Sequence, residues 1–362
     1  MKPRIVAPMR RKATWRRVMT GASIAFAALC LSLTSAAASA DDSGFSDINY
    51  RLGKGLHLAD TGLSLGGYAT ASVENLRHAP SRVALDNLSL FLWWQGEGRW
   101  KFFSEFDYEN VLASNSAGQE GGNRYLALER FYVDYALTDT MTLRGGKFLT
   151  PIGRWNLIHA TPLVWTTSRP LVTTLSFPTN ATGLMVNGTL PNVAHGLEYS
   201  LYASNGTELR ANPALDTFRD ALGAHIMVPL PGDAQVGVSY AAFEQEKTRH
   251  ERKHLIGVDF VWSRNRYELS GEGIYRFSDN GNDWDERGAF AQLVAPLSEK
   301  LYAVGRYEIY RKSRELVTTQ LWVSGLNYRI TPAIVLKAEW IVGHNNPIGA
   351  PEGFLSSLSV LF

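Results

Sequence analysis

The sequence predicts an all-β protein, a transmembrane antiparallel β-barrel of about 16 strands with a long constriction loop folded into its lumen. Three observations lead to this prediction. The chain opens with an export signal. Beyond that signal, no apolar run approaches the roughly 18 residues that a membrane helix requires. The remaining sequence alternates apolar and polar residues in segments of about ten, which is the pattern of strands that separate lipid from a wet interior.

Residues 1–40 have the three parts of a secretory signal peptide. Seven basic residues and no acidic residue occur before Val18, an apolar stretch covers about 22–33, and a run of small residues ends at Ala40. The apolar part is too short to span a bilayer, so we expect it to be cleaved. This divides the chain into a signal peptide (1–40), a short periplasmic lead (41–61) and the barrel (62–362). An export signal followed by a barrel predicts that the mature protein lies in the Gram-negative outer membrane.

The charge and cysteine content exclude several classes of function. The full chain has a formal net charge of +2, and removing the seven basic residues of the signal leaves about −5. A nucleic-acid partner is therefore not expected. The single cysteine, Cys30, lies within the signal, so the mature chain can have neither thiol catalysis nor a cysteine metal site.

The run 99–109 shows the alternation most clearly. Its apolar face carries Trp100, Phe102, Phe106 and Tyr108, with Phe103 as the exception. Its polar face carries Arg99, Lys101, Glu105, Asp107 and Glu109. Side chains that alternate in this way belong to a strand with two opposed environments. A soluble sandwich and a membrane barrel both contain such strands. Only the complete set of predicted strands and connections can distinguish the two folds.

The complete set favours the barrel. We predict strands near 62–74, 83–94, 98–110, 125–137, 140–148, 181–190, 196–204, 220–230, 234–245, 254–263, 266–277, 288–297, 300–311, 318–330, 333–343 and 353–362. Short turns and long polar loops alternate between them, which is the asymmetry between the periplasmic and external ends of an outer-membrane barrel. The last strand ends on Phe362, which we interpret as a signal for the barrel-assembly machinery.

The connection 149–180 is long and unusually apolar. It contains Trp155, Leu163, Val164 and Trp165, and loops of this length without secondary structure are usually functional. We expect it to fold into the lumen and narrow the pore. The alternative is an ordinary external loop that is capped by its aromatic side chains.

Four segments carry a family resemblance: YRLGKGL at 50–56, LGGY at 65–68, WKFFSEFDY at 100–108 and, most clearly, LRGGKFLTPIG at 143–153. They resemble the phosphate-selective porin O and P family and related Gram-negative porins, the first two at the start of that family and the third in its early strand. The resemblance implies a sixteen-stranded porin, usually a homotrimer, whose third loop forms the constriction. At 87–93, where the family tends to carry arginines, this chain reads NLSLFLW.

Basic residues near the constriction are the candidate site. The candidates are Arg99, Lys101, Arg130, Arg144, Lys147, Arg154, His159 and Arg169. Cations that line a narrow lumen select anions. Most strand cations have carboxylates nearby and could instead form ion pairs within the wall. Since 150–179 contains no acidic residue, we expect Arg154 and Arg169 to govern ion selectivity more than any strand arginine does.

The sequence carries no catalytic motif in the context that its chemistry requires. GLSLG at 62–66 matches G-x-S-x-G but lies in a predicted strand, and HERKH at 250–254 matches H-E-x-x-H but lies where a predicted loop meets a strand, not on a helix. No glycine-rich phosphate loop follows a strand. The acidic segment 279–286 resembles a calcium loop but has no glutamate at the twelfth position, so a solvated external loop is the simpler interpretation. We predict no cofactor and no metal.

These inferences combine into one functional expectation. We expect a passive diffusion channel for small hydrophilic solutes that leans toward anions, with phosphate or other small anions as candidate solutes. The alternatives are a barrel enzyme of the lipase or protease type and a closed structural or adhesive barrel. The expected partners are outer-membrane lipids, lipopolysaccharide, the assembly machinery, the solutes themselves and further copies of the chain.

The signal peptide yields the first testable prediction. Protein isolated from the cell envelope should begin at Asp41, because the A-x-A site ends at Ala40. Intact-mass spectrometry with amino-terminal sequencing measures this directly. A mature chain that begins at Met1, or that carries a lipid on Cys30, would contradict it.

Overall fold

The computed structural model describes residues 48–58, 61–118, 124–158, 160–206, 208 and 215–362. The predicted signal peptide (1–40) lies outside them. Within the described residues, sixteen long strands each pair in antiparallel fashion with the next strand in the chain, and the last pairs with the first. This confirms the predicted all-β closed barrel of 16 antiparallel strands.

The strands agree closely with the predicted segments. A short amino-terminal hairpin consists of β1 (Ile48–Arg51) and β2 (Gly55–Leu58). The barrel strands are β3 (Leu63–Leu76), β4 (Arg82–Gln95), β5 (Trp100–Asn115), β6 (Tyr125–Thr138), β7 (Met141–Leu149), β8 (Asn180–Leu190), β9 (Leu197–Ser204), β10 (Phe218–Leu230), β11 (Ala234–Gln245), β12 (Lys253–Arg264), β13 (Tyr267–Ser278), β14 (Glu286–Pro296), β15 (Leu301–Arg311), β16 (Thr319–Thr331), β17 (Ile334–His344) and β18 (Gly353–Leu361).

The barrel closes between β18 and β3. Their register runs from Gly353 opposite Leu76 to Leu361 opposite Tyr68. Phe362 extends this pairing, because its backbone N–H donates to the Gly67 carbonyl at 2.8 Å and its carbonyl accepts from the Gly67 N–H at 2.8 Å. Closure pairs each of the sixteen barrel strands on both sides, so the described part of the barrel has no open edge, as a structure in lipid requires.

The hairpin β1–β2 lies in the segment that the sequence predicted as a periplasmic lead (41–61). β2 pairs with the start of β3, from Leu56 opposite Leu65 to Leu58 opposite Leu63. Each strand has four residues, too few for an alternating pattern to stand out. The hairpin therefore extends the sheet at the end of the barrel where the chain enters.

Strand alternation separates two environments, as β15 and β16 illustrate. Arg306, Glu308 and Tyr310 are buried, whereas Ile309 and the neighbouring Trp322 are exposed, the latter by 58%. Exposed apolar side chains on the outer face suit contact with lipid. The buried polar residues face the lumen, which also contains the connection between β7 and β8 that is described below.

The tight turns have the chemistry that their geometry requires. β12 and β13 are joined by Asn265 and Arg266 alone, with φ angles of 51° and 69°. Two successive positive φ angles are typical of a type I′ turn, whose twist matches that of a β-hairpin. Among the described residues, no helix is long and apolar enough to cross a membrane.

The contacts of Phe362 give the second testable prediction. Its ring lies against Gly67, where an added Cβ would come within 3.0 Å of the ring. Deleting Phe362 removes the last ladder hydrogen bonds and this ring contact. We expect normal secretion but a reduced yield of folded barrel, measured by heat-modifiable migration of outer-membrane protein.

The matched control is Phe362→Tyr, which retains the backbone pairing and the ring. It should fold to the yield of the unaltered protein. Normal folded yield after the deletion would contradict a role for the terminal residue in assembly.

Candidate functional site

The connection between β7 and β8 folds across the interior of the barrel. We call residues 150–179 the lumen loop. Its buried apolar side chains form one cluster with inward-facing residues of the wall, and these loop residues are Ile152, Trp155, Val164, Leu171, Val172 and Phe177. Burial of this apolar surface stabilises the position of the loop. The prediction that this segment folds into the lumen is confirmed.

The first anchor of the lumen loop is the carboxylate of Glu272 on β13. Its Oε1 accepts hydrogen bonds from the backbone N–H groups of Arg154 (2.7 Å) and Trp155 (2.5 Å). The preceding residue, Gly153, has a φ of +64°, and an added Cβ would come within 2.6 Å of this carboxylate. Glycine at 153 thus permits both the turn and the close approach.

The second anchor is formed by two glutamates on β15 and β17. Glu339 accepts the backbone N–H groups of Thr167 (2.9 Å) and Ser168 (2.8 Å), and Glu308 accepts that of Leu171 (2.7 Å). Buried amides of an irregular segment need such partners. The wall carboxylates therefore accept the backbone hydrogen bonds of this loop, as the carbonyl groups of a neighbouring strand do in a sheet.

Basic side chains of the wall bind loop carbonyl groups in the same way. Lys337 donates to the Thr161 carbonyl at 2.5 Å, and Arg276 donates to the Ser176 carbonyl at 2.8 Å. Arg306 donates to the Ser168 carbonyl at 3.1 Å. These cations position the loop, and their donors are directed at loop carbonyl oxygens.

Three of the sequence-predicted cations form ion pairs. Arg130 donates to Glu105 at 2.5 Å, and Arg144 donates to Asp134 at 2.7 Å. Lys147 is 2% exposed and lies 3.1 Å from Glu208.

The Lys147–Glu208 pair joins the base of the lumen loop to the next external loop. Burial raises the pKa of the Glu208 carboxyl, and the Lys147 ammonium opposes that rise. The positive charge of Lys147 is therefore matched within the protein.

The remaining candidates occupy different surroundings. Arg99 and Lys101 are exposed, and Arg99 donates to the Leu137 carbonyl at 3.1 Å. Both lie at the end of the barrel that carries the short turns. His159 lies outside the described residues.

Arg154 has surroundings that the other candidates lack. Its guanidinium donates to the neutral side chain of Gln235 at 3.1 Å. It lines two cavities, one of about 230 Å³ and one of about 490 Å³. The larger cavity is also lined by Arg130 and Arg144. Arg154 thus brings a positive charge with a neutral side-chain partner to two cavities that can each hold several water molecules.

Arg169 faces a different part of the wall. Burial lowers the pKa of its guanidinium, while Tyr68, Glu129, Glu109 and Glu105 raise it. The ordinary pKa of arginine is so high that the group stays protonated at neutral pH. Its positive charge therefore remains, but several carboxylates of β5 and β6 offset its field.

A row of inward-facing aromatic rings accompanies these acids, and sequence reasoning did not identify it as a unit. Tyr68, Phe91, Phe103 and Tyr132 lie on β3 to β6 with ring centroids 5.7, 5.8 and 5.5 Å apart in succession. The Arg130 guanidinium stacks 4.5 Å from Phe103. Phe103 was the one exception to the alternation of β5, and that exception was the signal of an apolar patch inside the lumen.

Metal binding has no support in the part of the chain that the structure describes. No group of three or more His, Cys, Asp or Glu residues there could hold an ion. In the acidic segment 279–286, Asp285 accepts the Tyr275 hydroxyl at 2.6 Å and the Ser278 N–H at 3.2 Å. That carboxylate is used to fasten the loop.

The anchoring by Glu272 gives the third testable prediction. Glu272→Ala leaves two buried backbone N–H groups without an acceptor, at a cost of about 1–3 kcal/mol each. The amides of Arg154 and Trp155 should then exchange hydrogen faster while the strand amides keep their protection. Hydrogen exchange with mass spectrometry measures both.

Glu244→Ala is the matched control, because Glu244 pairs with Arg219 at 3.1 Å and does not touch the loop. It should leave the lumen loop unaffected. Equal exchange of the loop amides in Glu272→Ala and in the unaltered protein would contradict the anchor.

Comparison with known proteins supports the porin-like part of this architecture. No family model matches the chain. An uncharacterized protein of Aquifex aeolicus is 24% identical over 336 residues, which span 77% of this chain and 75% of the relative. At this identity, the relative does not assign a family.

Three solved structures share the fold. The anion-selective porin of Comamonas acidovorans has a TM-score of 0.57 at 13% identity and covers 83% of this chain and 98% of its own. OmpF of Salmonella typhi has a TM-score of 0.60 at 10% identity, with 83% and 98% covered. The trimer form of OmpT of Vibrio cholerae has a TM-score of 0.56 at 8% identity, with 83% and 99% covered.

The three neighbours are non-enzymatic porins, and a barrel of this kind is an outer-membrane fold. The similarity extends to Gram-negative porins in general and does not single out the phosphate-selective family. This chain therefore has the fold of a Gram-negative outer-membrane porin.

Proposed function

We propose that the protein is a passive diffusion channel for small hydrophilic solutes and that it favours small anions such as phosphate. The observation that carries the proposal is the lumen loop itself, which narrows a closed barrel and presents Arg154 to two cavities. The anion-selective porin of Comamonas acidovorans supports the same type of function by its shared fold.

The proposed anion preference depends on which basic side chains in the lumen are paired with carboxylates. Arg130, Arg144 and Lys147 pair with carboxylates, and Arg169 faces an acidic wall. Within the residues that the structure describes, the Arg154 guanidinium donates to the neutral Gln235 and forms no ion pair. In a narrow passage, an unmatched charge 4 Å from a passing ion contributes roughly 4 kcal/mol at an effective dielectric constant near 20. Arg154 should therefore dominate selectivity.

The alternative of a barrel enzyme depends on a nucleophile with a base. His225 lies 3.0 Å from Asp259 and pairs in register with Ser239, so three residue types of a catalytic triad are close together. The Ser239 hydroxyl, however, accepts the Gly153 N–H at 3.1 Å beneath the lumen loop. This engagement by the loop favours a structural role and supports a channel that is not an enzyme.

The remaining parts of the proposal concern partners. We infer a homotrimer in the outer membrane, supported by the trimer form of OmpT, whose fold the chain shares. Outer-membrane lipids, lipopolysaccharide and the barrel-assembly machinery are the other proposed partners. Neither a cofactor nor a nucleic acid has a role in the proposal.

Conductance in a planar bilayer gives the fourth testable prediction. Purified, folded protein should produce discrete ohmic steps in symmetric salt, because cavities of about 230 and 490 Å³ adjoin the lumen loop. A silent bilayer with verified folded protein would contradict the channel and leave a closed structural barrel or an enzyme. A lipase and protease assay would then separate those two.

Selectivity gives a further outcome in the same system. Arg154→Ala should move the zero-current potential across a salt gradient toward cation preference, and Arg169→Ala should move it less. The double variant should show the largest change. Arg99→Ala is the control, since Arg99 is exposed at the short-turn end and should have no effect. An unaltered potential in the double variant would mean that this loop does not set ion selectivity.

A further inference from the structure

Two outward-facing arginines lie side by side at the external end of the barrel. Arg287, near the start of β14, is the direct cross-strand partner of Arg311, the last residue of β15. We propose that this pair binds a phosphate group of the lipid A part of lipopolysaccharide in the outer leaflet of the membrane. The proposal rests on the outer-membrane location and the lipopolysaccharide partner proposed above, and it does not depend on ion conduction.

The alternation of the two strands places both side chains on the outer face. On β14, Arg287 has the parity of the exposed residues Ala291 and Leu293. On β15, Arg311 has the parity of Ile309, which is 38% exposed. Below the pair this face is apolar or small. Both arginines therefore lie where the apolar belt ends and lipid headgroups begin.

The pairing is unfavourable without a ligand. Side chains directly opposite in an antiparallel pair have Cβ atoms about 5 Å apart, and like charges there are destabilising. Within the described part of the chain, neither guanidinium has a salt bridge to a carboxylate. Nearby Asp285 is buried and already accepts the Tyr275 hydroxyl and the Ser278 N–H.

Other arginines at the same end of the barrel differ in this respect. Arg219 pairs with Glu244 at 3.1 Å, Arg252 pairs with Asp220, and Arg82 lies 2.9 Å from Asp86. Charge matching within the protein is thus usual at this level of the barrel. Because the positive charges of Arg287 and Arg311 are not compensated in this way, we infer that an anion from outside the chain binds them.

Phosphate is the anion that fits the position and the chemistry. A guanidinium presents planar, paired donors that match phosphate oxygens, and two adjacent guanidinium groups can share one phosphate dianion. Lipid A carries phosphates at the depth where the outer ends of barrel strands emerge. A soluble phosphate could bind the same donors. It would not explain why both side chains face the membrane, whereas a lipid phosphate would.

The surface below the arginines also suits a lipid. Gly273 on β13 pairs with Ala289, and Ala291 follows two residues further along β14 on the same face. An added Cβ at Gly273 would meet only ordinary contacts at 3.6 Å or more, so the surface there is open. Tyr275 and Tyr307 flank this shallow groove, since they pair with Arg287 and Ala291 respectively. An acyl chain attached to the bound headgroup would lie in it.

The test uses the full mature barrel in detergent, stripped of bound lipid, with bisphosphorylated lipid A as the probe. Native mass spectrometry counts bound lipid over a titration. The unaltered protein should retain lipid A, and the double variant Arg287→Gln, Arg311→Gln should lose roughly tenfold or more in affinity.

Arg219→Gln, whose partner is Glu244, should bind as the unaltered protein does. Heat-modifiable migration verifies folding, and Arg311→Gln alone replaces the double variant if that variant does not fold.

Four results would overturn the proposal. The first is equal affinity of the double variant. The second is equal binding of lipid A from which the phosphates have been removed. The third is displacement of lipid A by millimolar inorganic phosphate, which would indicate a soluble-anion site. Loss of a trimer in the double variant without loss of lipid would also overturn it, by assigning the patch to a contact between copies of the chain.

Discussion

The structure depends on the hydrogen bonds between wall carboxylates and the backbone amides of the lumen loop. A closed barrel satisfies its own backbone, but an irregular segment inside it brings unpaired N–H groups into a space with little water. Glu272, Glu308 and Glu339 accept those groups at 2.5–2.9 Å. Without these acceptors, the unsatisfied N–H groups would oppose the burial of the loop's aromatic residues.

This requirement also shapes the electrostatics of the lumen. Carboxylates that bind loop amides and pair with wall cations leave few charges for a passing solute. Arg306 illustrates the point, because it binds Glu308 at 2.7 Å and the Ser168 hydroxyl at 2.7 Å. Arg154 projects from the loop beyond these networks. One segment thus supplies both the narrowing of the barrel and the charge that we propose acts on ions.

Alternation and loop lengths were enough to predict the sixteen strands, because lipid on one side and a polar lumen on the other impose a period of two on every spanning segment. The apolar content of 150–179 likewise predicted its position. The anchors were not predictable individually, since Glu272 and Glu339 read as ordinary partners of strand cations. Which carboxylate meets which amide depends on the path of the loop, which local sequence does not encode. Strand register likewise decides that Arg130 pairs with Glu105. The path of the loop decides that Arg169 faces the acids of β5 and β6.

An engineered disulfide can establish whether the lumen loop lies against the inner wall of the barrel. The hydroxyl oxygens of Thr167 and Ser357 lie 2.9 Å apart, and the predicted mature chain (41–362) contains no cysteine. In the double variant Thr167→Cys, Ser357→Cys, we expect a disulfide in folded barrel from the outer membrane, detected by mass spectrometry of the linked peptides. Thr167→Cys paired with a cysteine at the outward-facing Ser324 should not link within one chain. Folded barrel in which both cysteines at 167 and 357 remain reduced under oxidising conditions would contradict the placement of the loop inside the lumen.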